Sequence, residues 1–151
     1  MGLKAKSEKE ASSSLRYRLL DFGFWIADFG LAKNGVNEEL FKARTRKIGV
    51  DIIALIESLP RNRVADVIGR QLLRSGTSVG ANYRAACRGR SKADVMSKLA
   101  IVEEEADETI YWLELLVESK IVDASRVDLL LKECNEIVAM VVASIKTLRG
   151  Q

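Results

Sequence analysis

Apolar residues recur at intervals of three and four in four separate stretches of the chain, the spacing that places them along one face of a helix. The first stretch carries Phe41, Ile48, Ile52, Leu55 and Leu59, with Thr45 in the intervening position. Val50, Ile53 and Ile56 widen this stripe, which suggests contact with more than one neighbour. Asn37 is placed to cap the helix, Glu38 and Glu39 suit its first turn, and Pro60 ends it. The second stretch, from Val64 to Gly89, places Val67, Leu72, Val79 and Tyr83 against a core. Its middle runs Ser75, Gly76, Thr77, Ser78, Val79, Gly80, Ala81, Asn82. Glycine and threonine are poor helix formers, so this helix needs tertiary support. Small side chains at Gly76, Ser78 and Gly80, with Asn82 beside them, let a neighbouring backbone come close.

Ser91 followed by Asp94 is a capping signature for a third helix reaching about Ser119. Leu99, Val102, Ala106, Ile110, Leu113 and Val117 lie along one side of it, and Ile101, Trp112 and Leu115 along another. A helix apolar on two sides either sits deep in a domain or also meets another subunit, so Ile101, Trp112 and Leu115 are candidate oligomer contacts. Ser125 and Asp128 repeat the cap. The fourth stretch then carries Val127, Leu131, Cys134, Val138, Val141, Ile145 and Leu148, widened by Leu130, Ile137 and Val142, and stops near Gly150. Four long helices joined by short loops predict an all-α protein, an antiparallel up-down-up-down four-helix bundle over residues 37–149.

Residues 1–36 read as a poorly ordered or irregular N-terminal extension. Within it, 15–33 are more apolar but interrupted by Gly23 and Gly30, which leaves a short helix, a strand or a tail outside the domain open. The DFGLAK at Asp28 to Lys33 matches a kinase metal-binding motif by coincidence, since no phosphate loop and lysine-bearing strand precede it. The polar start lacks a secretory leader, and no run of 18 apolar residues offers a membrane span. Cys87 and Cys134 are too far apart for a metal knuckle and read as small apolar residues in a reducing compartment. A cytoplasmic protein without membrane contact is the expectation.

Charge is strongly segregated along the sequence. Residues 61–92 carry eight basic side chains against one acidic, a balance of +7, and residues 93–123 carry two against nine, a balance of −7. Pairing between the adjacent helices, anion binding and plain solvation all remain open readings. There is no histidine, which removes the commonest general base and metal ligand, and the Glu-x-x-His motifs of di-iron bundles are missing. No GxSxG or phosphate-loop motif surrounds Ser75 or Ser78. Neither catalytic residues nor a metal or other cofactor are expected.

Arg74-Ser75-Gly76-Thr77-Ser78-Val79-Gly80-Ala81-Asn82, then Arg90-Ser91-Lys92-Ala93-Asp94, then Lys98 to Leu116 resemble the family of four-helix-bundle proteins encoded by intervening sequences in bacterial 23S ribosomal RNA genes, also labelled S23-like. The resemblance spans Glu38 to about Arg149. It implies the antiparallel bundle and, as in several members, a ring-like homopentamer, with Ser78, Asn82 and Arg90 in structural roles. The accessory protein of diversity-generating retroelements is a more distant likeness whose role does not transfer. The resulting expectation is a non-enzymatic homo-oligomeric binding module that contacts RNA or DNA backbone. Arg44, Lys47, Arg70, Arg74, Arg84, Arg88, Arg90 and Lys92 are its candidate phosphate contacts. The alternative is a scaffold that binds another protein, its arginines paired with the acidic third helix.

Overall fold

A computed structural model describes residues 35–150, all of whose long elements are helices. They are α1 (Gly35–Glu57), α2 (Arg63–Ala86), α3 (Lys92–Glu118) and α4 (Asp128–Arg149), with one turn of 3-10 helix at Ala124–Arg126. Each packs on its neighbour in sequence, and α4 returns to α1 along a thinner seam, closing the up-down-up-down bundle. The extension expected over residues 1–36 lies almost wholly outside the described residues.

Helix ends follow local chemistry. Asn62 Oδ1 accepts from the Ala65 amide at 2.9 Å and caps α2, a role its place in the short connection hides in the sequence. Ser91 Oγ accepts from the Asp94 amide at 3.1 Å, while the Asp94 carboxylate accepts from the Arg90 amide at 3.0 Å. This reciprocal pair is the expected start of α3. Three departures stand out. Helix α1 begins two residues before Asn37. Helix α2 ends at Ala86, because a tightened turn of i→i+3 bonds carries the chain from there to Gly89. Ser125 does not cap α4: it lies within the 3-10 turn, and no side chain caps α4 at Val127. At the other end Gly150, at φ 80°, stops α4 in the left-handed conformation glycine adopts freely.

The core is built from Phe41, Ile48, Ile52 and Leu55 of α1, Leu72, Val79 and Tyr83 of α2, Leu99, Val102, Leu113 and Leu116 of α3, and Val127, Cys134, Ile137 and Val141. The buried stripe of α4 runs through Leu130, Ile137 and Ser144, while Leu131, Val138 and Val142 are half-buried. Val67 departs from its expected core position and is 46% exposed, because the core line of α2 passes through Ala65, Ile68 and Leu72 instead.

The small residues of α2 serve close approach. A Cβ on Gly76 would lie 2.0 Å from Ile52 Cδ1, and one on Gly80 would lie 3.4 Å from the backbone of Thr45. Ser75, buried opposite α3, meets Thr109, whose Oγ1 lies 3.0 Å from its Oγ. Both hydroxyls also reach carbonyls of their own helices, Leu72 and Glu105. The weak helix formers in mid-α2 are thus held by α1 on one side and α3 on the other.

Candidate nucleic-acid interface

The segregated charges find two fates. Arg44 is half-buried in the α1–α4 seam. Its Nε donates to Glu133 at 2.6 Å, and its Nη2 donates to Glu136 at 2.7 Å and to Glu133 at 3.0 Å. Arg74 reaches across to α3, bonding Glu105 at 3.1 Å and also Glu108. The same Glu108 accepts from Trp112 Nε1 at 3.0 Å, and Arg74 together with this bond holds its carboxyl below the usual value. Lys47 pairs with Asp51 one turn on, though it remains exposed. Three of the eight expected phosphate contacts therefore have acidic partners within the chain.

The other five, Arg70, Arg84, Arg88, Arg90 and Lys92, are exposed and form no ion pair among the described residues. Arg63 joins them. Arg63, Arg70 and Arg84 lie whole heptads apart on the outward side of α2, with Arg88 one turn beyond Arg84, so they form one file along the helix. Arg63 lies one residue before the start at Val64 that the sequence predicts, and the structure brings it into the helix.

The topology adds a second grouping that linear charge sums hide. Helices α2 and α4 finish where α1 and α3 begin, so residues 38–44, 81–102 and 138–150 form one end of the bundle. That end holds nine Lys or Arg against three Asp or Glu, a balance of +6; the remaining described residues hold nine against fourteen, a balance of −5. Lys146 and Arg149 thereby join Arg84, Arg88, Arg90 and Lys92. Glu38 and Glu39 are local counter-charges and both pair with Lys42. Lys42, bonded to Glu39 at 3.0 Å, holds that carboxyl below the ordinary value, and Arg84 and Arg46 add weaker pulls.

Of the expected oligomer contacts, Ile101, Trp112 and Leu115 are all half-buried on the flank of α3 that also carries Glu105 and Glu108. The apolar residues left most open nearby are different: Tyr111 on α3, edge-on to Trp112 with ring centroids 4.9 Å apart, and Val64 and Val67 on α2. On α1, Val50 and Ile53 are exposed too. Asn82, half-buried, donates to the Ser78 carbonyl of its own helix at 2.9 Å and so serves helix geometry.

The cysteines offer no nucleophile. Burial pushes the Cys87 thiol up to about 11 and the Cys134 thiol to about 12, the reverse of what a reactive thiolate needs. Tyr83, fully buried under Phe41 at 4.2 Å, has no well-aligned partner for its hydroxyl, and burial raises its pKa strongly. Among the described residues no group of His, Cys, Asp or Glu is arranged to hold a metal ion, and no helix is long and apolar enough to cross a membrane.

The described residues form a four-helix bundle whose distinctive surface feature is charge. The family described as 23S rRNA-intervening sequence protein matches residues 40–143, and the chain belongs to that family. It is similar to a crystal structure of a protein of unknown function from the S23 ribosomal protein family of Bacteroides thetaiotaomicron, with 35% identity and a TM-score of 0.67. That match covers 72% of this chain and 97% of the other. No curated protein matches in sequence.

Proposed function

We propose that this protein is a homo-oligomeric binding module that contacts the backbone of RNA or DNA. The observation that carries the reading is the set of exposed arginines without acidic partners, Arg84, Arg88 and Arg90 with Lys92, gathered at the basic end of the bundle. The acidic α3 neutralises Arg74 and leaves these cations to solvent. Tyr83, the aromatic residue within the basic segment, is buried, so bases find no stacking platform there. Contacts of this kind read phosphate, tolerate changes in base sequence and weaken steeply with salt. Several copies on one polymer strengthen individually weak contacts. RNA is the first ligand to try, in keeping with the family's description.

The test replaces Arg84, Arg88 and Lys92 together with Gln. Because all three are exposed and unpaired, folding and assembly should be unchanged while affinity falls and the salt dependence becomes shallower by about one counterion per lost contact. Absence of RNA or DNA retention by the unmodified protein at about 50 mM salt sinks the nucleic-acid reading. Loss of folding in the variant supports a protein scaffold with internally used charge, the alternative favoured by the Arg74 bridge to Glu105 and Glu108. The assembly expected from the resemblance is a pentamer of 16.8 kDa chains. A light-scattering mass of one chain across a wide concentration range rules out self-association.

A further inference from the structure

Two neighbouring sides of the bundle are unlike in charge and alike in carrying open apolar residues. The outward side of α2 presents Arg63, Arg70 and Leu73, the last 38% exposed. The outward side of α3 presents Tyr111, 54% exposed, with Glu114 and Glu118 about one and two turns further along the helix. Neither Arg63 and Arg70 nor Glu114 and Glu118 form an ion pair among the described residues. We infer that the α3 side of one copy docks on the α2 side of the next, a head-to-tail contact between unlike faces; this rests on the homo-oligomeric reading above and names its two surfaces.

The register of the helices supports the pairing. The 3.0 Å contact of Ser75 with Thr109 fixes the relative height of the antiparallel α2 and α3. Counting outward from it, Tyr111 stands level with Leu73, Glu114 with Arg70, and Glu118 within one turn of Arg63. Copies related by rotation about an axis parallel to the bundle keep their heights. In such a ring the two carboxylates of one copy face the two guanidiniums of the next, and Tyr111 faces Leu73. The shallow groove beside Leu73, floored by Gly69 and walled by Ile56 and Pro60, has room for an aromatic side chain. A heterologous contact of this kind closes into a ring when its rotation divides the circle. The pairing also stops short of the basic end: Arg84 and Arg88 stand level with the uncharged Ala100 and Met96 of α3, so they stay available to phosphate.

Charge exchange tests the contact. One variant carries Arg63→Glu and Arg70→Glu, the other Glu114→Arg and Glu118→Arg, both nuclease-treated to remove bridging polymer. Each alone should show a lower light-scattering mass than the unmodified protein, with the helical signal retained, since like charges then face across the contact. Mixed in equal amounts they should regain a higher mass, because each supplies the face the other now fits. An assembled unmodified protein whose variants keep its mass, or whose mixture regains none, overturns the face assignment while leaving self-association standing. A single-chain mass for the unmodified protein removes both.

Discussion

Gly76 and Gly80 show how a single hydrogen in place of a side chain sets helix spacing. Replacing either with Leu forces α1 away from α2 and should cost about 1–3 kcal/mol, read as a lowered thermal midpoint. Gly76→Leu is the harder to absorb, because a Cβ there already falls 2.0 Å from Cδ1 of the fully buried Ile52, whereas one on Gly80 meets the Thr45 backbone at 3.4 Å. Unchanged melting in both variants would contradict this account. The cysteines give a second residue-level expectation. With Cys134 held near 12 and Cys87 near 11, little thiolate exists at pH 8. Alkylation of the folded protein should be slow there, speed up toward pH 11, and become fast at pH 8 once denaturant exposes both thiols. Rapid modification of the native protein at pH 8 would show that burial does not control them.

Between helices, the α1–α4 seam is the thinnest and depends on polar contacts. Arg44 answers two carboxylates there and also touches Met140 Sδ at 3.2 Å. Arg44→Ala removes the guanidinium that Glu133 and Glu136 share. It should destabilise by about 1–3 kcal/mol, less than a fully buried pair and more than a surface one. Denaturant titration reads this directly, and Glu133→Gln with Glu136→Gln in the same chain should recover part of the loss. Recovery of nothing would mean that Arg44 acts through packing alone. What the sequence disclosed at this scale was the helices themselves. Apolar spacing, Pro60 and the Ser91–Asp94 cap are local signals, and each helix lies where they put it. Arg44 looked like a free cation because its partners are 89 and 92 residues away. Periodicity also blurred the fourth stripe, since Leu130 and Leu131 both fit an apolar face and only packing chose Leu130.

At the scale of the molecule, linear charge sums showed where basic residues concentrate but not which of them are paired. The +7 and −7 segments are adjacent in sequence, which made mutual neutralisation look attractive; in the bundle only Arg74 of the α2 arginines reaches the α3 acids. The gathering of Lys146 and Arg149 with Arg88 and Arg90 depends on chain reversal at every loop, which a linear reading does not display. Family membership was legible because motif residues from α2 and α3 occur together, whereas the surface roles of Tyr111 and Leu73 required knowing what lies beside them.

The unequal ends of the bundle have a directional consequence. Among the described residues, +6 at one end and −5 over the remainder give the bundle an electric axis roughly parallel to its helices. The helix macrodipoles contribute little to it, since two point each way. A polyanion therefore attracts one end and repels much of the remainder, so an approaching copy turns before it touches. It arrives standing on its end, with the α2–α3 turn foremost and the α3–α4 connection pointing away.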